Sequence, residues 1–139
     1  MKPKAFRYFR YIEFDYNRPD ISVLSNSDFG GICIGFDFDS SNETMSFAFS
    51  RCAKDIVFCP KLAKKLINNK IKNGEIFKCQ YNPVFSLLDN LENYLSICKI
   101  KSLSKLRQHI KSINNHNLNQ KIIFQNSTQT LHEKVKLQY

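Results

Sequence analysis

The chain has no tryptophan, no long uninterrupted apolar run and, past Pro60, very few acidic residues. Each absence excludes something. Without an apolar stretch near the ~18 residues needed to cross a bilayer, no membrane-spanning helix is predicted. The opening residues, Met-Lys-Pro-Lys-Ala-Phe-Arg, lack the apolar stretch and small-residue cleavage site of a secretory signal, so a soluble, cytoplasmic protein with no membrane partner is expected. There is no P-loop, GxGxxG or GxSxG pattern, and the one Gly-Gly pair, Gly30-Gly31, opens a strand rather than a helix. A phosphate cradle of those types is therefore not expected. No internal repeat or Pro-rich linker divides the 139 residues, a length that suits one core and one domain spanning 1–139.

Cysteine is present but in an odd number and in unrelated local patterns: Cys33, Cys52, Cys59, Cys79 and Cys98. That argues against a disulfide framework and for small buried hydrophobes. Cys59 stands at a helix start, where a thiolate would be favoured, but no base accompanies it. His109, His116 and His132 lie in separate segments without zinc-ligand spacing, and no cofactor is expected. In place of tryptophan the chain carries 12 Phe and 6 Tyr, enough rings to build a core around.

The periodicities divide the chain into strands, then helices. Residues 5–16 put Phe6, Tyr8, Ile12, Phe14 and Tyr16 on one face of a predicted strand and Arg7, Glu13 and Asp15 on the other. Residues 17–30 have loop chemistry, with a short edge strand at Ile21, Val23 and Leu24. Residues 31–51 alternate on both sides of a turn at Ser40-Ser41-Asn42-Glu43, which predicts a hairpin. Pro60 opens a helix that Asn73-Gly74 closes, with Leu62, Ala63, Leu66, Ile67 and Ile71 in one stripe. EIFKCQY at 75–81 reads as another strand. Asn82-Pro83 then introduces a helix with Val84, Leu87, Leu88, Leu91, Tyr94, Leu95 and Cys98 on its apolar face. A third helix is predicted over 102–114 with Leu103, Leu106, Ile110 and Ile113 inward. NNHNLNQ breaks it, and KIIFQ and LHEKVKLQY either pair as a closing hairpin or end in a tail that is ordered on a partner or disordered. The expected fold is α+β: one antiparallel sheet of about four to six strands with two or three helices packed on one face.

Charge is divided at the same place as the periodicity. Residues 1–59 hold 7 Lys and Arg against 8 Asp and Glu, a net of −1, whereas residues 60–139 hold 14 against 4, a net of +10. Lysine is a good surface helix former, which accounts for part of the excess. The shortage of acids, only Glu75, Asp89, Glu92 and Glu133, is harder to explain, because an ordinary solvated surface intersperses both signs. An anionic partner is expected, contacted by Lys61, Lys64, Lys65, Lys72, Lys99, Lys101, Lys105, Arg107 and Lys111. Two other chemistries compete. Asp37 and Asp39 share one strand face, as do Glu13 and Asp15; adjacent strands would gather four carboxylates for a Mg²⁺-dependent nuclease, and otherwise these acids are a solvated face. Tyr8, Tyr11 and Tyr139 would serve a protein-binding surface.

The run MSFAFSRCAKDIVFCPKLAKKLINNKI, residues 45–71, resembles a segment of small bacteriophage accessory proteins through Phe49, Cys52, Lys54, Asp55, Phe58, Lys61, Lys64 and Lys65. The resemblance implies an origin, and some small phage proteins block host defence systems. The expectation is a non-enzymatic binding protein of phage or mobile-element type that contacts nucleic acid or a nucleoprotein complex. The alternatives are an anti-defence, anti-CRISPR-like inhibitor of a host protein and the nuclease.

Overall fold

Alternation over residues 29–57 produces the frame of the molecule, seen in a computed structural model that describes residues 1–14 and 24–138, with side chains through 126. Asp15, Tyr16, Ile21, Val23 and Tyr139 lie outside the described residues, as does the side chain of His132. In chain order the elements are β1 (Ala5–Phe9), β2 (Ile12–Phe14), β3 (Leu24–Asn26), β4 (Phe29–Asp39), β5 (Thr44–Val57), α1 (Pro60–Lys72), β6 (Phe77–Gln80), α2 (Leu87–Ile97) and α3 (Lys101–Gln138). Four strands form an antiparallel sheet in the order β1-β4-β5-β6; β2 and β3 form a separate antiparallel pair. The expected α+β class, antiparallel sheet and three helices are all present. No helix among the described residues is long and apolar enough to cross a membrane.

The hairpin is where the sequence placed it. Asp39 organises its turn: one carboxylate oxygen accepts from the Ser41 and Asn42 amides and the Ser41 hydroxyl, and the other from the Asn42 side-chain amide. The Ser41 hydroxyl, followed by Asn42, holds this carboxyl below its ordinary pKa.

The helices do not share one face of the sheet. Ile32, Ile34, Phe36, Met45, Phe47 and Phe49 point to one side, where they pack with Leu91 and Leu95 of α2 and Leu103, Leu106, Ile110 and Ile113 of α3. Cys33 and Ala48 point to the other side and meet Ala63 and Ile67 of α1, with Phe58 beside them. The second face is thin because its residues are small, and α1 lies close to the strands in consequence. A Cβ added at Gly35 would stand 3.2 Å from both Ile67 and Phe6. A one-sided sheet would leave Gly31 and Gly35, which alternate with Ile32, Ile34 and Phe36, on an uncovered face, but both are buried, as is Cys33. The stripe on α1 splits accordingly: Ala63 and Ile67 are buried and Ile71 is partly buried, while Leu62 is 54% exposed and Leu66 44%.

Three boundaries also differ. The predicted first strand breaks at Arg10-Tyr11, so that Phe9 and Tyr11 enter the thick core while Phe6 packs under α1. The break is accommodated by Gly30 and Gly31, both at positive φ, where a Cβ would meet the Tyr11 ring and the Phe9 carbonyl at 2.8 Å. Helix α2 starts at Leu87 rather than Val84, because the Ser86 hydroxyl accepts the Asp89 amide as N-cap. Buried Asn90 fixes the preceding turn, accepting from the Asn82 amide and donating to the carbonyls of Asn82, Phe85 and Ser86.

The third boundary is the largest change. Helix α3 does not end near Asn114; it continues for 38 residues, roughly 57 Å at about 1.5 Å per residue. The closing hairpin expected over its second half is absent, that backbone being helical. The run NNHNLNQ is a polar ladder and not a breaker. Asn117 accepts the Ile12 amide at 2.8 Å and donates to the Arg10 carbonyl at 2.8 Å, Gln120 accepts the Phe14 amide at 3.2 Å, and the His116 Nε2 donates to the Ile12 carbonyl at 3.0 Å. Helix side chains thus satisfy the edge of β2 that β3 does not pair.

Candidate nucleic-acid interface

The two basic helices lie on opposite faces of the sheet, so the nine basic residues singled out by sequence do not form one patch. All nine are exposed. Lys61, Lys64, Lys65 and Lys72 are on α1; the Lys64 ammonium stands 5.1 Å from the Phe6 ring centroid. Lys99 lies in the connection from α2 to α3. On α3, positions two apart are turned by roughly 200°, which separates Lys101 and Lys105 from Arg107 and Lys111. The latter pair lines a cavity between α2 and α3 together with one acidic residue, Glu92.

The structure brings Lys101 and Lys105 to a different partner, the uncovered edge of β5. Strand β6 pairs with β5 only from Thr44 to Phe47. Beyond that point the end of α1 comes round the sheet edge from one face and the start of α3 from the other. Lys70 reaches from α1 and donates to the Phe49 carbonyl at 2.6 Å, with its ammonium 4.8 Å from the Phe49 ring centroid. This contact covers an edge carbonyl that no strand takes. Burial lowers the Lys70 pKa; Glu75 opposes the shift and Arg51 adds to it.

An open groove of about 780 Å³ results, lined by Phe49, Arg51, Lys70, Ile100, Lys101, Ser102 and Lys105. Four of these carry positive charge and none is acidic. Arg51 also acts on the interior: His109 has its pKa lowered by burial first and by Arg51 second.

Arg51 and Lys70 were not among the residues the sequence singled out. Arg51 lies before Pro60, in the half without net positive charge. Lys70 had a readable signal, since it follows Ala63 and Ile67 at helical spacing and so lies on the sheet-facing side of α1 rather than the solvent side.

Among the described residues, the acids of the competing reading stand apart. Asp37 is 3.7 Å from Lys4 in a salt bridge, Asp39 holds its turn, and Glu13 is in the separate β2-β3 pair beyond the opposite end of β1 from Asp37. No group of His, Cys, Asp and Glu able to hold a metal ion is found among the described residues. Of the three tyrosines, Tyr11 is buried and rests against the His116 ring, 5.3 Å between centroids, while Tyr8 is at the surface. The five cysteines are free thiols. Cys33 and Cys79 are buried as expected, and burial pushes both thiols up to about 11. Cys59 is exposed at the N-cap of α1, and its side chain makes no capping bond. No protein-family model, curated protein or solved structure matches the chain.

Proposed function

We propose that this protein is a non-enzymatic binding protein whose groove at the β5 edge holds the phosphate backbone of a nucleic acid, either free or exposed within a nucleoprotein complex. The observation that supports the reading is convergence. Arg51, Lys70, Lys101 and Lys105 come from three elements to one groove with no acid in its lining. Lysine and arginine bind phosphates without reading sequence, and each neutralised phosphate releases a counterion. The Lys70 ammonium is fixed by its bond to Phe49, so part of the groove's charge is positioned before any ligand arrives. The phage-type origin suggested by residues 45–71 fits a small protein of this kind, and that run includes Arg51 and Lys70.

The test is binding of DNA and RNA as a function of salt. With four contacts the logarithm of the affinity should fall against the logarithm of salt with a slope of about −3 for a single strand. A flat dependence contradicts phosphate binding.

A further inference from the structure

A second cavity adjoins the basic groove, and its chemistry is different. It measures about 390 Å³ and shares Phe49, Lys70 and Ser102 with the groove. Its remaining lining is Gly74, Glu75, Ile76 and Phe77. Pockets of this size with apolar walls and few polar groups are the usual form of small-ligand sites. The Phe49 and Phe77 rings stack with centroids 5.9 Å apart and 27° between planes, giving the cavity an aromatic wall. Gly74 adds no side chain, and a Cβ placed there would meet nothing within 4 Å, so the cavity is open on that side. Glu75 is exposed and is the one acidic residue lining either cavity.

A basic wall for phosphates next to an aromatic pocket with one carboxylate matches the two parts of a nucleotide. In a duplex the bases are stacked and paired between the backbones, so a base reaches such a pocket only when it is unpaired. It packs on the partly exposed Phe77 ring, with the buried Phe49 ring behind it. A carboxylate accepts a hydrogen bond from an exocyclic amine, which cytosine, adenine and guanine carry and thymine lacks.

Resting on the phosphate reading of the groove, we infer that the paired cavities bind a nucleotide with an unpaired, amine-bearing base, its phosphates on Arg51, Lys70, Lys101 and Lys105 and its base against Phe49, Phe77 and Glu75. A single-stranded end and a free nucleoside triphosphate share this chemistry.

The experiment uses the full chain and fluorescence anisotropy with four probes of equal length: oligo-dC, oligo-dT, an abasic deoxyribose-phosphate oligomer and a duplex. Oligo-dC should bind about tenfold more tightly than the abasic oligomer or the duplex, and about tenfold more tightly than oligo-dT. Glu75→Ala, an exposed change that leaves the core intact, should bring the dC:dT ratio close to one without reducing affinity for the duplex. Competition by CTP at concentrations comparable with oligo-dC would also support the pocket and would assign it to free nucleotides. Equal affinity for all four probes with a normal salt slope would overturn the base pocket while leaving the phosphate groove standing. Absence of salt-dependent binding to any probe would overturn both.

Discussion

The two faces of the sheet are built on opposite plans. On the α2-α3 face Phe36, Phe47, Ile32 and Met45 form a thick layer of large side chains, fully buried against Leu91 and Leu95 of α2 and Leu103, Leu106, Ile110 and Ile113 of α3. On the α1 face Gly35, Cys33 and Ala48 leave almost nothing between strand backbone and helix. The thick face supplies most of the apolar burial, and with it most of the stability. The thin face supplies proximity: it is close enough for Lys70 to reach round the edge of β5 and bond the Phe49 carbonyl. One face therefore holds the fold, while the other sets the position of a charge.

The largest expected effect tests the thick face. Leu106→Ala should destabilise by about 2–5 kcal/mol in denaturant unfolding, the range for deleting a fully buried leucine. Gly35→Val tests the thin face, where even a Cβ stands 3.2 Å from Ile67 and Phe6; it should cost about 1–3 kcal/mol through overpacking. It should also lower nucleic-acid affinity more than Leu106→Ala does in protein that remains folded, because α1 carries Lys70. Equal losses of affinity would break the assignment of proximity to the thin face.

Smaller effects concern the ladder on α3. Asn117→Ala leaves the Ile12 amide and the Arg10 carbonyl without their helix partner and should cost about 2 kcal/mol by the same measurement, whereas Asn119→Ala, exposed on the same helix, should be near neutral. The smallest effect is pH dependence. His109 has a folded-state pKa below its ordinary 6.5, so the unfolded chain takes up the proton first. Its contribution is absent well above pH 6.5 and lowers stability as the pH falls through 6.5 toward the folded value. A His109→Gln variant should lose that acid-side decline.

How far the sequence was legible follows from these same residues. The hairpin was readable because large apolar residues alternate from Ile32 to Phe38 and from Met45 to Phe49. The second core was not, because Gly31 and Gly35 alternate with the large residues as an outer face would, and the expected burial of Cys33 named no helix to cover it. The polar run at 114–120 read as a breaker because its partners, Arg10, Ile12 and Phe14, are more than 100 residues away. The charge division at Pro60 pointed to the basic character of the groove and to two of its members, Lys101 and Lys105, but not to the other two. Arg51 comes from the acidic side of that division and Lys70 from the buried side of its helix, whereas Lys61 and Lys65 remain solvated.

Location can be separated from net charge by two double variants that change it equally. Lys101→Glu with Lys105→Glu reverses charge in the groove, and Lys61→Glu with Lys65→Glu reverses it on the outer face of α1. Measured as single-strand affinity over a salt series, the groove variant should lose more than tenfold in affinity and flatten the slope by about 1.4, two contacts at roughly 0.7 each. The α1 variant should keep the wild-type slope. Equal losses from the two variants, or a greater loss from α1, would contradict the groove as the phosphate site.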